Sequence, residues 1–302
     1  MIDAICTALR LPAGGFQSAI VVPLSARGRM RTIGPVTAIA HALPTTLQPG
    51  ALSLDADVRP HPHIGIAALS FLFEGAMTHR DTLGVTQVIQ PGAVNWMVAG
   101  RGIVHSERYE SLRQAGGSMH GLQIWLALSE EEEEIAPSFH HFSAEQVPAI
   151  EAEGVSGHLL AGTAEGLTAP ARLKSPLYLQ DIRMIEGSRF KPPNCHEERA
   201  IYVISGTLRC EEQAVEAGQS VLFVAGGQPV VEAETPVHLL SFGGSPLGKR
   251  YMWWNFVSSD RSRLEAAKAD WREGRFGLPP GDDKDFTPLP AENERPLLEL
   301  NI

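Results

Sequence analysis

Cysteine and net positive charge are both scarce in this chain, and each shortage removes a class of function. Only three of the 302 residues are cysteine, at Cys6, Cys195 and Cys210. The number is odd and the spacing matches no metal motif, so neither a disulfide framework nor a thiolate zinc site is expected. Lysine and arginine total 25 against 35 aspartate and glutamate, a formal net charge of −10. Nucleic acid and anionic membranes need a basic surface, so no direct contact with either is expected. The densest basic cluster, Arg27, Arg29 and Arg31, suits a solvated strand edge. No unbroken apolar run reaches membrane-spanning length. The N-terminal stretch has Asp3, no basic residue before Arg10 and a break at Pro12-Ala13-Gly14-Gly15. It makes a poor signal peptide, and the expected location is cytoplasmic.

Long helical periodicity is scarce as well. What replaces it is a series of short apolar runs bounded by the 29 glycines and 22 prolines. Ala67–Phe73, Val94–Val98, Leu122–Leu128, Leu177–Ile182, Ala200–Ile204, Ser220–Val224 and Val237–Phe242 are of this kind. The pattern predicts an all-β barrel or sandwich architecture. One helix signal stands out near the C-terminus. Ser259-Asp260 can cap a stretch in which Leu264, Ala267 and Trp271 share a face, with Gly274 or Gly277 to end it. From Pro279 onward the chain is rich in proline and acid and is expected to wrap the surface irregularly.

Two segments repeat one layout. LSFLFEG (Leu69–Gly75) is followed by PGAVNWMVAG (Pro91–Gly100), and IYVISG (Ile201–Gly206) by AGQSVLFVAG (Ala217–Gly226). In each, a strand closes on a glycine, a second glycine opens another strand, and the paired glycines recur at 92 and 100 or at 218 and 226. Two tandem copies of one β-barrel follow. The expected division is a first barrel over 1–145, a connection over 146–170, a second barrel over 171–250, and a C-terminal helix and tail over 251–302.

The chemistry concentrates in the first copy. His61-Pro62-His63 places two imidazoles at i and i+2, which share one face of a strand. His105-Ser106-Glu107 repeats the arrangement with an imidazole and a carboxylate. If the two strands are antiparallel neighbours, all four side chains converge on one metal ion. Burying them without a cation would be costly. The set of three nitrogens and one oxygen disfavours thiolate-selective ions and leaves Fe, Mn, Ni, Cu and Zn open. The same offsets in the second copy fall on Pro192, Asn194, Val231 and Ala233, which are poor ligands, so the second barrel is expected to be metal-free. The neighbouring cluster Cys195, His196, Glu197 and Glu198 has no facing partners and reads as structural. His140-His141 points to opposite strand faces and cannot easily chelate. The run Glu130–Glu134 after Ser129 suits a solvated turn or helix start better than a cation site.

HPHIG (His61–Gly65), FEGAMTHRDTLG (Phe73–Gly84), IQPGAVNWMVAGRGIVHSE (Ile89–Glu107) and GLQIWLAL (Gly121–Leu128) together resemble the pirin family. The resemblance implies a bicupin fold with an N-terminal metal, usually iron, on His61, His63, His105 and Glu107. Family members include quercetin 2,3-dioxygenases, which open a flavonol ring with O2, and others regarded as transcriptional co-regulators or redox-responsive binding proteins. Two functions therefore stand open. One is a dioxygenase acting on a small aromatic substrate, with Glu107 as general base and Gln123 and Trp125 lining the pocket. The other is a metal- or redox-responsive module read by a protein partner, and a structural metal site is the bland third option. Trp96 and Met97 suit barrel filling. The chain departs from the family after His63, where Arg, Gly, an aromatic and Glu are common. Here Ile64, Gly65, Ile66 and Ala67 stand instead, and a carboxylate on the pocket side is expected to be missing.

Overall fold

In the computed structural model, residues 1–13, 16–21, 32–293, 295 and 297–300 are described. The basic cluster Arg27, Arg29 and Arg31 lies outside them. Strands dominate, as the alternating apolar runs predict. Those runs become Ile66–Glu74, Val94–Val98, Gly117–Ala127, Leu177–Met184, Glu198–Ser205, Gln219–Phe223 and Val237–Gly244. The repeated glycines have one conformational job in both copies. Gly92 and Gly218 hold φ of 81° and 85°, a left-handed turn that residues with a side chain rarely adopt.

The chain divides into two compact units. One comprises Met1–Leu9, Val21–Ala38 and Glu145–Leu247. Its large sheet runs, in spatial order, from Ile2–Thr7 through 219–223, 198–205, 237–244 and 177–184 to 155–164 and 149–152. A four-stranded sheet of Arg189–Phe190, Val231–Ala233, Thr207–Cys210 and Gln213–Glu216 completes it. Ile182, Ile201, Val221 and Leu239 from the large sheet share a core with Leu208, Val215 and Val231 from the small one.

The other unit comprises Arg10–Ile20, Ile39–Ala144 and Gly248–Ile302. Its four-stranded sheet has the order Val58–His63, Ile103–Arg108, Met77–Asp81, Thr86–Ile89, and a seven-stranded sheet is built around Ile66–Glu74 and Gly117–Ala127. The helix Arg261–Arg272 is capped by Asp260, whose side chain accepts from the Ser262 N–H, and buries Leu264, Ala267 and Trp271 as predicted. Those residues pack with Trp253 and Phe256 over Ile64 and Val104. Each unit is a cupin-type barrel, so the fold is the expected bicupin with a short C-terminal helix.

Three features differ from the sequence reading. The stretch 146–170, where the sequence predicts a connection, carries the strands Ala149–Ala152, Val155–Ala164 and Leu167–Thr168. Its apolar signal is diluted by Gly157 and Gly162, where a Cβ would lie 1.9 Å from the Asp181 and Leu177 carbonyl oxygens. Close strand approach demands glycine there. The tail is irregular as predicted apart from Leu298–Leu300, which pairs with Arg250–Met252. The glutamate run is a turn, yet Glu132 and Glu133 are buried. Glu133 accepts from the Ser259 N–H at 2.9 Å and the Ser259 hydroxyl at 2.6 Å, tying the turn to the entrance of the C-terminal helix.

Candidate metal centre

The strand Val58–His63 pairs antiparallel with Ile103–Arg108, and His105 stands directly opposite His61. Between His105 and Glu107 the register slips, so that Glu107 faces Val58. The extra residue falls at Arg59-Pro60, where proline has no N–H to give to the ladder. The imidazole centroids lie 4.8 Å apart for His61 and His63, 4.4 Å for His61 and His105, and 5.0 Å for His63 and His105. One nitrogen from each of the three rings falls within 4.8 Å of the others, and this is the one such group of metal-ligating side chains among the described residues. Glu107 is not part of that close group. It is buried nearby, and the Gln123 amide nitrogen donates to its Oε1. Trp125 Nε1 in turn donates to Gln123 Oε1 at 3.2 Å, and the Trp125 ring meets His63 edge-on at 5.1 Å.

Electrostatics at the centre match what a cation requires. Burial lowers the His61 pKa to about 4, against a partial lift from its hydrogen bond to the Arg59 carbonyl. Burial, and then the neighbouring imidazoles, lower His63 and His105 well below the usual histidine range. The rings are therefore neutral at physiological pH, with lone pairs free for a metal. Both ring nitrogens of His63 and both of His105 are buried without a hydrogen-bond partner; for His63 the Asn255 backbone exerts only a weak opposing pull. Buried polar atoms are seldom left unpaired, and a metal ion at the cluster would take up one nitrogen of each ring. Glu107 is pushed up to about 7 by burial, partly opposed by the Gln123 hydrogen bond.

A cavity of about 450 Å³ opens beside the cluster, lined among others by His61, Glu107, Tyr109, Gln123, Trp125 and Trp254. Both pocket residues anticipated from the sequence, Gln123 and Trp125, are on its wall. Trp96 and Met97 are buried away from it. Ile64, Ile66 and Ala67 do not line the cavity either. Ile64 belongs to the apolar cluster under the C-terminal helix. The departure at Ile64 thus alters the packing next to His63 rather than the pocket wall. His140 and His141 join no ligand cluster among the described residues; His141 is hydrogen-bonded to Asn95 at 2.7 Å. In the other barrel, the corresponding Val231 and Ala233 are core residues.

Two contributors escaped sequence reasoning. His79, opposite Glu107 on the next strand, bonds Asp81 at 2.9 Å, stacks on Phe139 at 4.3 Å and lies 5.2 Å from the His105 ring. The alternation His79-x-Asp81 beside Glu107 was a usable signal. Trp254 sits in the two-residue turn between Arg250–Trp253 and Phe256–Ser258 with φ of 53°, a position at which glycine is the norm. Nothing in the sequence marks it.

Family models match over both barrels, Pirin at residues 20–126 and the Pirin C-terminal cupin domain at 179–277. A pirin-like protein of Caulobacter vibrioides is 43% identical over 291 residues, covering 96% of this chain and 100% of the relative. The chain belongs to the pirin family. Human pirin is 29% identical over 227 residues, covering 72% of this chain and 77% of its own. A quercetin 2,3-dioxygenase from Acinetobacter baumannii has a similar solved structure, with a TM-score of 0.85 at 28% identity over 96% of this chain and 95% of that one. Family membership agrees with the fold, and the histidine cluster falls within the stretch that the Pirin model matches.

Proposed function

We propose that this pirin-family protein is a metal-dependent dioxygenase of the quercetin 2,3-dioxygenase type. Its metal, Fe(II) foremost and Mn, Ni, Cu or Zn as alternatives, is held by His61, His63, His105 and Glu107. The observation that carries the reading is the 450 Å³ cavity with His61 and Glu107 on its wall. Its volume is in the range of sites for small organic ligands, and its lining is mixed, with aromatic rings and a few polar groups. The structural likeness to the Acinetobacter dioxygenase points the same way.

A bound divalent metal would supply Lewis acidity to vicinal substrate oxygens and a site for O2. The residues of the chain do the rest. Trp125 and Trp254 give flat apolar walls to an aromatic ring. Gln123, held by Trp125, fixes one Glu107 oxygen and leaves the other free for the metal or, once off it, for a substrate proton. Glu107 acts as the base by leaving the metal: off the ion, its buried carboxylate favours the protonated form and takes a proton from a substrate hydroxyl.

The test is to load the purified protein anaerobically with Fe(II) and follow quercetin absorbance and O2 uptake in wild type and His63→Ala. Turnover in the wild type and its loss in the variant are expected. If tight metal binding is accompanied by no turnover with any of the five metals, the dioxygenase reading fails. The regulatory alternative, a protein partner that reads the metal's oxidation state, would then be examined by pull-down under oxidising and reducing conditions.

A further inference from the structure

The second barrel, without a metal cluster among the described residues, keeps a buried guanidinium that no described carboxylate pairs with. Tyr178 and Arg199 both pair with Gly243, and Gln180 and Ile201 both pair with Ser241, across the strands 177–184, 237–244 and 198–205. These residues share the inward face, because Ile182, Ile201, Val203 and Leu239 on the same alternation form the barrel core. Gly243 makes room for the two large side chains. A Cβ there would lie 2.9 Å from Arg199 Cγ and 2.9 Å from Tyr178 Cε1, so both lean over the glycine.

Arg199 is 1% exposed, and Gln180 and Tyr178 are fully buried. The guanidinium donates from Nη2 to the Gly227 carbonyl at 2.5 Å, while Nε and Nη1 have no partner. No carboxylate pairs with it among the described residues; the neighbouring Glu198 accepts from the Gly34 N–H at 2.7 Å instead. Neither atom of the Gln180 amide is bonded. At the rim, the His196 ring stacks on Tyr178 at 5.9 Å, and its Nε2 is also unpartnered. The Tyr178 and Ser241 hydroxyls lie 3.5 Å apart on the same face. Buried polar atoms almost always find partners, and a buried cation without a counter-charge is one of the costliest features a fold can retain.

We propose that the interior of the second barrel binds a small organic monocarboxylate, seated on Arg199 with the Gln180 amide as a second donor. One guanidinium balances one negative charge, whereas a phosphate dianion would leave charge uncompensated. Burial raises the Tyr178 pKa above its ordinary value, which keeps the phenol protonated and able to donate to the same ligand. The aliphatic core beside Ile201 and Leu239 suits a short carbon chain. This site is separate from the metal centre and does not depend on the dioxygenase reading.

The full chain in a zwitterionic buffer without added salt should be titrated with sodium formate, acetate, propionate and butyrate by calorimetry and thermal unfolding. Saturable binding, with Tm rising with carboxylate concentration, is expected in the wild type. Arg199→Met should abolish the response and Gln180→Leu should weaken it at least tenfold. His63→Ala should respond as the wild type does. Sodium chloride at equal ionic strength should give no saturable response. No saturable binding to the wild type would mean that water satisfies these groups, and the proposal falls. It also falls if chloride matches the carboxylates, or if His63→Ala loses the response and so places the ligand at the metal centre. Should Arg199→Met fail to fold, the wild-type titration and Gln180→Leu decide.

Discussion

Glu107 ties the geometry of the centre to a measurable proton. In the metal-free protein its pKa is about 7, against an ordinary value of 4.5, because burial disfavours the carboxylate. A folded-state pKa raised in an acid means that burial costs nothing below pH 4.5, that the cost grows from there to about 7, and that it stays in full above. The imidazoles behave oppositely. His61, lowered to about 4, stays neutral in the folded protein while it would charge in the unfolded chain below 6.5. Through His61, metal-free protein should therefore lose stability as pH falls from 6.5 toward 4, the cost being absent above that window. If Glu107 is a ligand, metal loading at pH 6 must expel its proton, while loading at pH 8 finds it ionised. Calorimetry in buffers of different ionisation enthalpy should show about one proton more released at pH 6 than at pH 8. Glu107→Gln should erase the difference. Equal release at the two pH values would remove Glu107 from the ligand set, leaving the three histidines.

At the scale of elements, the turn at Trp254 supplies a sharp comparison. The left-handed conformation at φ 53° costs about 1–2 kcal/mol for a residue with a Cβ and nothing comparable for glycine. Trp254→Gly and Trp254→Ala both lose the ring contact with Phe256 at 5.5 Å. The glycine variant should nonetheless be the more stable by about 1 kcal/mol in urea unfolding, the reverse of the usual order. If alanine is the more stable, the strain is not there. The buried Glu133 is a second case. Glu133→Ala leaves the Ser259 N–H and hydroxyl without their acceptor and should cost about 1–3 kcal/mol, read as a lower urea midpoint with an unchanged slope. These two elements also show what sequence reasoning could reach. The clustered histidines are legible because i, i+2 spacing on antiparallel neighbours translates directly into convergence, and the large strands because their alternation is strong. Val155–Ala164 was hidden by the glycines that its close pairing requires. The burial of Glu133 and the strain at Trp254 depend on segments more than 100 residues distant in one case and on a turn without a sequence signature in the other.

At the scale of the whole molecule, linear order and compactness part company. The sequence suggests cutting the chain after residue 145, yet the unit that holds the histidine cluster takes in Gly248–Ile302 as well as Ile39–Ala144. The returning segment is structural for the site. Ile64, next to His63, and Val104, next to His105, are buried at 1% and 0% exposure in a cluster whose other buried members are Trp253, Phe256, Leu264, Ala267 and Trp271. Removing those partners exposes the flanks of both ligand strands. Each large side chain contributes about 1.5–3 kcal/mol of burial, so the four largest together amount to roughly the whole stability of an ordinary domain, about 5–15 kcal/mol. A fragment ending at residue 145 is therefore expected not to fold, despite containing every candidate ligand. It should show no cooperative thermal transition and bind divalent metal at least a hundredfold more weakly than the full chain. Adding the separate segment 248–302 in trans should restore part of both, because the missing surface is then supplied without the covalent link. A fragment 1–145 that unfolds cooperatively and binds metal as the full chain does would show that the first barrel stands alone and that the C-terminal helix merely rests upon it.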